Sequence, residues 1–533
     1  MRPQTAPALL AYGVEHFADR PAIVDGETRL TYAHLAHEVD RVSRAYLATG
    51  VTPGDHVAIW APNRAEYILA LLGAQNIGAA VVPLNTRYRG HEARTILERS
   101  RASVLVTVQG FLGNDYIDLL AGTYDGPDPS GPAGLFGLPS LHTIVDIAES
   151  GDPRAVGWSD LLARAESVTE ETLAAAVATL TPETIADILF TSGTTGVPKG
   201  VMSAQRQTIG VAKVWAAGAG LGPEDRYAIV NPFFHGFGYK AGVIAALTAG
   251  TAIYPVATFD PVTLMELIQR ERITVLPGAP TIFITLINHP RRTEFDLSSL
   301  RFSIAGATSV PESLFEQMLD VLGFRQVAQA YGLTECVVAT QSRPGEDPRH
   351  VAECTGPAVP GIEIKVVDPS GASVPTGEEG EVWLRGDNVM LGYFEDPEAT
   401  AAAIDPDGWF HSGDVGELDE HGCLKITDRI KDMFIVGGFN VYPAEVENVL
   451  VSHPDVIESA VVGIPDERMG SVGLAYVLPR PDADLDLDEL AAYCRERLAN
   501  FKVPRRFQVL SDFPRNASGK VLKKELRATA AAG

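Results

Sequence analysis

Short β-branched runs alternate with helix-length amphipathic segments between about residues 20 and 330. The runs lie at residues 57–60, 80–83, 103–107 and 275–277. This alternation is typical of α/β layers and predicts mostly parallel sheets. Residues 114–157 are rich in Gly, Pro and Asp, and we expect them to form a surface excursion from these layers.

The pattern changes in the last third of the chain. Strands shorten and turns become frequent over about residues 356–428, which predicts a small β-rich subdomain. Residues 433–442 predict a hairpin that turns at two glycines, and helices are expected at residues 444–452 and 487–499. The predicted domains are therefore a large N-terminal domain over residues 1–428 and a small α+β C-terminal domain over residues 429–533.

No segment predicts a secretion signal or a membrane anchor. Residues 1–20 lack a charged start followed by an apolar core, and they predict an amphipathic helix before a strand at residues 21–24. The apolar stretches at residues 67–84 and 241–256 are interrupted by Gly, Asn or Pro and predict a buried helix and strand. We expect no integral membrane association.

Four cysteines, Cys336, Cys354, Cys423 and Cys494, stand far apart along the chain. They form neither a CxxC pair nor a spacing typical of zinc sites. Such usage is typical of a reducing compartment, so we expect a cytoplasmic location.

The chain has 533 residues, of which 46% are apolar and 21% charged, and this predicts a globular protein of several domains. The formal net charge of −25 opposes binding to nucleic acid or to anionic lipid. An anionic substrate then needs a local cluster of Lys, Arg and backbone N–H groups. Segments rich in glycine and lysine are therefore informative.

One such segment runs from Thr191 to Gly200, after a predicted buried strand at residues 186–190. Its glycines let backbone N–H groups face an anion, its hydroxyls donate to phosphate oxygens, and Lys199 supplies charge. The alternative is an ordinary turn between this strand and a helix from Ser203. The residue order fits neither a Walker A loop nor the GxSxG elbow of hydrolases.

The segment is similar to the phosphate-binding signature of the adenylate-forming superfamily, which includes acyl-CoA synthetases, peptide-synthetase adenylation domains and beetle luciferases. Four further segments match that family in order, and the layout resembles it from about residue 10 to residue 527. They are residues 331–335, 409–414, 428–447 and 514–520. The resemblance implies an ATP site formed by Thr191, Ser192, Gly193, Thr194, Thr195, Gly196, Lys199, Gly306, Ala307, Tyr331, Gly332, Asp414 and Arg429.

The resemblance also assigns roles within this site. Tyr331 is expected near the adenine and Thr334 at the α-phosphate. Glu335 is expected to hold Mg²⁺, since a carboxylate suits a hard cation that spans phosphate oxygens. Asp414 is expected at the ribose, because one carboxylate accepts from two vicinal hydroxyls. Taken alone, each of these segments is an ordinary turn or helix cap.

In this family a mobile C-terminal domain rotates about a hinge between two half-reactions. The resemblance places Lys431 at the hinge. It places Gly437, Gly438 and Phe439 along the tunnel for the CoA thiol. Lys520 is expected between the substrate carboxylate and the α-phosphate, where a cation stabilises a transition state that crowds two anions. Ile435 departs from relatives that carry a lysine there, so the thioester step has less direct support.

The implied reaction is that of an AMP-forming acyl-CoA synthetase. The substrate carboxylate attacks the α-phosphorus of Mg·ATP and releases pyrophosphate, and the CoA thiol then attacks the acyl-adenylate and releases AMP. We therefore expect ATP, Mg²⁺, coenzyme A and a small carboxylic acid as ligands. Relatives are commonly dimers, so a homodimer is a further expectation.

The acyl pocket is expected around residues 233–242, which offer His235 and aromatic residues. Amino-acid-activating relatives place an aspartate near here, so an α-amino acid substrate is disfavoured. His235 resembles the histidine near the carboxylate in acyl-CoA ligases, and a packed core histidine is the alternative. Small neighbours leave room for a bulky acyl group. The expected pocket residues are Phe234, Gly236, Phe237, Gly238, Ala241, Gly278 and Ala279.

Residues 87–92, 202–208 and 231–242 resemble actinobacterial ligases for polycyclic, steroid- or terpenoid-derived carboxylates. Medium-chain fatty acids and aryl acids remain alternatives. So do transfer of the adenylate to a carrier protein, a luciferase-like reaction and a catalytically silent nucleotide-binding protein. The intact Lys520, Glu335 and Asp414 disfavour the last of these.

Overall fold

The computed structural model describes residues 3–126, 134–191, 198–305, 310, 312–429, 432–436, 439–441, 443–466, 469–481, 483, 485–498, 500–515 and 521–532. Its α-helices are α1 (Ala6–Phe17), α2 (Tyr32–Ala48), α3 (Ala65–Asn76), α4 (Gly90–Ser100), α5 (Tyr116–Ala121), α6 (Trp158–Ala163), α7 (Glu170–Val177), α8 (Gln205–Gly218), α9 (Gly236–Gly238), α10 (Ala245–Ala249), α11 (Pro261–Glu271), α12 (Pro280–Asn288), α13 (Glu312–Asp320), α14 (Pro348–Glu353), α15 (Pro397–Ala403), α16 (Pro443–Val451), α17 (Leu487–Arg497) and α18 (Lys523–Ala532). A π-helix at Tyr239–Ile244 joins α9 to α10.

The strands are β1 (Pro21–Asp25), β2 (Thr28–Thr31), β3 (His56–Trp60), β4 (Ala80–Pro83), β5 (Val104–Thr107), β6 (Gln109–Phe111), β7 (Asn114–Asp115), β8 (Thr143–Asp146), β9 (Val156–Gly157), β10 (Ile185–Thr191), β11 (Lys199–Ala204), β12 (Arg226–Ile229), β13 (Ala252–Pro255), β14 (Phe302–Ile304), β15 (Gln326–Ala328), β16 (Ala330–Leu333), β17 (Cys336–Gln341), β18 (Ile362–Val367), β19 (Gly380–Gly386), β20 (Gly392–Tyr393), β21 (Phe410–Leu418), β22 (Leu424–Arg429), β23 (Phe434–Val436), β24 (Phe439–Val441), β25 (Val456–Asp466), β26 (Gly470–Pro479) and β27 (Arg506–Val509).

An eight-stranded sheet with the order β20-β11-β10-β4-β3-β5-β8-β9 leads to residues 191–200, called here the phosphate-loop segment. Its strands from β10 to β9 are parallel, whereas β11 and β20 continue the sheet antiparallel. Strands β3, β4 and β5 coincide with the predicted β-branched runs. Helix α3 is buried along nearly its whole length, because it is apolar on almost every side. The prediction of mostly parallel α/β layers is confirmed.

A second sheet has the order β12-β13-β1-β2. Val275 bridges Tyr227 of β12 and Phe302 of β14, so the short predicted strand at residues 275–277 is present only as a bridge. Through it the parallel pair β14–β15 extends the sheet. The carboxyl ends of β12 and of this bridge lead to His235 and Gly278, and ligands bind at such ends in open α/β sheets.

The prediction that residues 114–157 form a surface excursion is wrong in its central part. Strand β8 lies inside the eight-stranded sheet, is buried at all four residues and pairs in parallel with β5. Phe136 and Leu141 are also buried in the main core. The Gly, Pro and Asp content of the flanking turns conceals a strand of only four residues, whose stability comes from its neighbours in the sheet.

The last third of the chain matches the predicted change of pattern. Strands β18, β19, β21 and β22 form an antiparallel four-stranded sheet. The C-terminal region combines a five-stranded sheet of β23 to β27 with α16 and α17, which coincide with the two predicted helices. Strands β23 and β24 form the predicted hairpin, and its glycine turn lies outside the described residues.

Two of the four cysteines, which lie far apart in the sequence, are paired in the fold. Cys354 and Cys423 form a disulfide, with their Cα atoms 6.1 Å apart, although 69 residues separate them in the sequence. Cys336 and Cys494 are free and buried. Among the described helices, none combines the length and the apolar character needed to traverse a lipid bilayer.

Candidate active site

The phosphate-loop segment is held between two antiparallel strands. Thr191 at the end of β10 is paired with Lys199 at the start of β11, and Phe190 with Gly200. The sequence placed a helix soon after this segment, from Ser203, but a strand intervenes and α8 begins at Gln205. The two ends of the loop are therefore fixed by a strand pair, while Ser192, Gly193, Thr194, Thr195 and Gly196 lie outside the described residues.

Tyr393 connects the phosphate loop to Glu335. The Lys199 ammonium lies 4.9 Å from the centre of the Tyr393 ring. The hydroxyl of Tyr393 donates a 2.9 Å hydrogen bond to Glu335 Oε1. Strand β20, which carries Tyr393, pairs with β11 and so places the ring between the two charged groups. The sequence did not single out Tyr393.

Glu335 fits the role of a Mg²⁺ ligand. It follows β16 in the turn to β17, beside Thr334, and is partly exposed. Its Oε1 accepts a hydrogen bond from Tyr393, and among the described residues no side chain donates to Oε2. A half-exposed carboxylate with one oxygen available is a suitable donor for a hard cation.

Tyr331 and Asp414, which the sequence assigned to adenine and ribose, meet directly. The Tyr331 hydroxyl donates a 2.6 Å hydrogen bond to Asp414 Oδ2. Asp414 is buried, and its backbone N–H donates to Ser412 Oγ at 3.0 Å. Burial and the negative charge of Asp414 raise the pKa of Tyr331, so its hydroxyl stays protonated and remains a donor.

His235 begins the short helix α9. The N–H of Phe237 donates to His235 Nδ1 at 3.2 Å, so a neutral ring carries its proton on Nε2. The side chain is reachable by solvent, yet the surrounding protein desolvates the ring and lowers its pKa below the usual 6.5. A histidine that lines a crevice can be reached by solvent and still be surrounded by protein atoms, whereas a packed core histidine cannot be reached by solvent. The binding role of His235 is therefore favoured over a packed core role.

The His235 segment lies against the strand that follows Glu335. A Cβ added to Gly236 would lie 3.1 Å from Val337 Cγ2 in β17. At Gly238 a Cβ would lie 2.3 Å from the carbonyl oxygens of both Asn231 and Pro232. The small size of Gly238 is thus required by the close approach of backbone, and it does not by itself create room for substrate.

The other expected pocket residues are packed to different degrees. Ala241 is buried in the π-helix, and the ring of Phe237 lies 5.5 Å from that of Trp215. A Cβ on Gly278 would lie 2.9 Å from Ile282 Cδ1, the flexible end of a side chain. Phe234 and Ala279 are partly exposed.

Asn63 fixes the segment that leads to His235, and the sequence analysis did not identify it as a site residue. Its side-chain amide donates to the carbonyl oxygens of Ile229 and Asn231 at 3.0 and 2.9 Å, and its Oδ1 accepts from Phe233 N at 2.7 Å. A buried asparagine with three such bonds fixes an irregular segment. Nothing local in the sequence marks Asn63 for this role.

A buried ion pair joins the phosphate-loop strand to the π-helix. Lys240 Nζ lies 2.9 Å from Asp187 Oδ1, and both side chains are almost fully buried. Thr208 and Tyr239 donate to Asp187 Oδ2 at 2.7 and 3.2 Å, and Lys240 donates to Ser203 Oγ at 2.7 Å. An aspartate inside the apolar run of residues 185–190 was the available signal.

Several predicted site residues are not described. Gly306, Ala307, Lys431, Gly437, Gly438 and Lys520 lie outside the described residues. Arg429, Ile435 and Phe439 are described for their backbone alone, in β22, β23 and β24. Gly332 is exposed at the surface of β16, and a Cβ there would lie 2.0 Å from Val337 O.

Comparison with known proteins identifies the family. Residues 10–394 match the family described as AMP-binding enzyme, and residues 445–520 match the AMP-binding enzyme C-terminal domain. A protein of Rhodococcus jostii is 47% identical over 527 residues, which cover 99% of each chain. One of Mycobacterium tuberculosis is 45% identical over 527 residues, which cover 98% of each chain. Both are named 3-(7a-methyl-1,5-dioxo-octahydro-1H-inden-4-yl)propanoyl:CoA ligase.

A solved structure gives the same result. The anthranilate CoA ligase in complex with anthranoyl-AMP superposes with a TM-score of 0.88 at 27% identity, and the match covers 99% of this chain and 97% of that one. The fold, the proximity of the sequence motifs within it and these relatives all support the same assignment. The chain belongs to the AMP-binding enzyme family and is an ATP-dependent, AMP-forming acyl-CoA ligase.

Proposed function

We propose that this ligase activates a propanoic acid attached to a compact fused-ring system of the steroid- or terpenoid-derived kind. The observation that carries the substrate class is the full-length similarity to two ligases named for an octahydroindenyl propanoyl group, which contains two fused rings. A Cβ added to Gly236 would lie 3.1 Å from Val337, so the His235 segment lies beside the strand that follows Glu335, which supports a site in which both residues act on the same substrate.

The first half-reaction uses the N-terminal residues. Lys199 and the loop from Thr191 hold the pyrophosphate that leaves. Glu335 would hold Mg²⁺, and the ion would offset phosphate charge. Neutral His235, with its proton on Nε2, donates to the substrate carboxylate without adding a charge that would weaken the nucleophile. The carboxylate oxygen then forms a bond to the α-phosphorus as the bond to pyrophosphate breaks.

The nucleoside is held by Tyr331 and Asp414. The Tyr331 ring packs on the adenine, and its hydroxyl orients the Asp414 carboxylate toward the ribose. Thr334 contacts the α-phosphate, and Gly332, Gly306 and Ala307 complete the nucleotide surface. Arg429 binds near the nucleotide.

The second half-reaction depends on the C-terminal domain, taken as residues 429–533. Lys520 neutralises the crowded anions during adenylation, and a rotation about Lys431 then removes it. Gly437, Gly438 and Phe439 line the path of the CoA thiol, whose sulfur attacks the acyl carbon as AMP departs. Ile435 leaves this step without the extra lysine of some relatives.

The proposal also includes a cytoplasmic location. Two further partners are alternatives: a carrier-protein thiol as an acyl acceptor besides CoA, and a second copy of the chain in a homodimer. A reducing compartment would keep Cys354 and Cys423 as a dithiol.

The test combines substrate, acceptor and catalytic lysine. Products are measured by mass spectrometry with a fused-ring propanoic acid, an aryl acid and octanoic acid, each offered CoA or a carrier-protein thiol. Lys520→Ala should abolish acid-dependent pyrophosphate exchange, whereas Lys524→Ala, at an exposed lysine of α18, should not. Unchanged exchange in Lys520→Ala, or thioester formation on the carrier protein alone, would contradict the proposal.

A further inference from the structure

Two thiol-bearing segments meet outside the active site. Cys354 directly follows helix α14, and a turn at residues 419–422 leads to Cys423, the residue before β22. Backbone hydrogen bonds from Thr355 N to Leu424 O, and from Leu424 N to Gly356 O, hold the two segments side by side at 2.8 and 3.0 Å. Both sulfurs are buried.

A histidine and an aspartate accompany the two cysteines. His350 precedes Cys354 by one helical turn, and its Nε2 lies 3.6 Å from Cys354 Sγ. Asp419 Oδ2 lies 3.5 Å from the same nitrogen. The ligand atoms of His350, Cys354 and Cys423 all lie within 4.8 Å of one another. The disulfide itself does not require this imidazole or this carboxylate.

The turn fixes the direction of the Asp419 carboxylate. Its Oδ1 accepts from the N–H groups of His421 and Cys423 at 2.8 and 2.7 Å. Its Oδ2 lies 3.5 Å from His350 Nε2, and the side chain stays partly exposed to solvent. One oxygen is committed to the backbone and the other is presented to the cluster, as metal-binding carboxylates commonly are.

We propose that reduced Cys354 and Cys423 bind a zinc ion together with His350, and that Asp419, which contacts His350 but lies outside this group of three, becomes the fourth ligand once the sulfurs separate. Zinc favours four tetrahedral ligands drawn from thiolate, imidazole and carboxylate. Ligand atoms about 2.0 to 2.3 Å from a tetrahedral zinc lie about 3.3 to 3.8 Å from one another, and the two distances at His350 Nε2 fall in this range. The disulfide is the oxidised form of the same pair.

The chemistry balances simply. A dithiol, or the phosphine used in the test, supplies the two electrons that break the S–S bond and is itself oxidised; each sulfur takes up one proton, and the two sulfurs then separate to about 3.8 Å. Binding of zinc displaces one proton from each thiol. The bound ion would tie α14 to the first residue before β22, the strand that leads to the predicted hinge at Lys431. The inference does not depend on which acid the enzyme activates.

The test measures zinc in the full chain. Protein reduced with a phosphine is incubated with zinc chloride, freed of excess metal and assayed by elemental mass spectrometry. We expect about one zinc per chain, at least a tenfold loss in affinity for Cys354→Ser, Cys423→Ser and His350→Ala, and no change for the control Cys494→Ser.

A second measurement uses wild-type protein, so it gives a result even if the variants fail to fold. Wild-type protein oxidised with diamide should bind no zinc, and re-reduction should restore binding. Cobalt(II) in the reduced protein should give thiolate charge-transfer absorption that Cys423→Ser weakens. Absence of zinc from the reduced wild type, or full retention in the Cys354→Ser/Cys423→Ser double variant, would overturn the proposal.

Discussion

The hydroxyl of Tyr331 donates a 2.6 Å hydrogen bond to the buried carboxylate of Asp414, 83 residues further along the chain. Two sequence motifs that lie far apart along the chain are therefore in direct contact in the fold. The bond holds Asp414 Oδ2 in place before any nucleotide arrives. Preorganisation of this kind would lower the cost of binding the ribose that we propose Asp414 contacts.

Removal of this hydrogen bond should weaken ATP binding. Tyr331→Phe keeps the ring but loses the donor to a charged group, and we expect the KM for ATP to rise about tenfold with a smaller change in kcat. Steady-state kinetics with varied ATP measure this. Tyr12→Phe, which removes a hydroxyl in α1 that takes no part in this bond, is the control. An unchanged KM in Tyr331→Phe would show that the bond does not prepare the ribose site.

Breaking the buried ion pair should destabilise the fold. Lys240→Met leaves the Asp187 carboxylate buried without its cation, which costs about 3 to 5 kcal/mol in the free energy of unfolding. Urea denaturation measures the loss. In the control, Arg291→Ala removes one partner of an exposed pair with Glu294 and should cost about 0 to 1 kcal/mol. Equal losses in the two variants would contradict the structural role of Lys240.

The lowered pKa of His235 predicts the pH dependence of adenylation. Burial disfavours the imidazolium, so as the pH falls the ring stays neutral to below its usual pKa of 6.5. The loss of pyrophosphate exchange that follows protonation of His235 should therefore occur below pH 6.5, and it should be absent in His235→Asn. Pyrophosphate exchange across pH measures it, with the exposed His91→Asn as control. A His235-dependent loss above pH 6.5 would mean that the charged ring is favoured in the folded protein.

Gly238 should not tolerate a side chain. Gly238→Ala brings a Cβ to 2.3 Å from two carbonyl oxygens, so we expect a lower melting temperature and at least a tenfold loss of activity with every acid. At Gly210, in α8, a Cβ meets nothing within 4 Å. Gly210→Ala should be neutral or stabilise by about 0.5 to 1 kcal/mol, since alanine favours a helix. Thermal melts of both variants decide this, and an active Gly238→Ala protein would show that the turn can relax.

Local signals predicted much of the fold. Strands β3, β4 and β5 follow from β-branched runs, and α16 and α17 from helical periodicity, because each pattern is complete within a few residues. The phosphate-loop segment is recognisable for the same reason. Strand β8 was missed because its stability depends on β5, a distant neighbour in sequence.

The contacts that complete the site were not predictable from local pattern. Asn63 bonds to residues more than 160 positions away, and Lys240 meets Asp187 from another element. The pairing of Cys354 with Cys423 spans 69 residues. Such pairs are brought together by tertiary packing, and a single sequence carries no record of which distant residues meet.

Competition between two acids tests the substrate assignment most directly. Equal concentrations of an octahydroindenyl propanoic acid and of octanoic acid share the enzyme, ATP and CoA, and early thioester products are quantified by mass spectrometry. Their ratio equals the ratio of kcat/KM values. We expect the fused-ring thioester to exceed octanoyl-CoA about tenfold or more. Equal amounts, or an excess of octanoyl-CoA, would contradict the account.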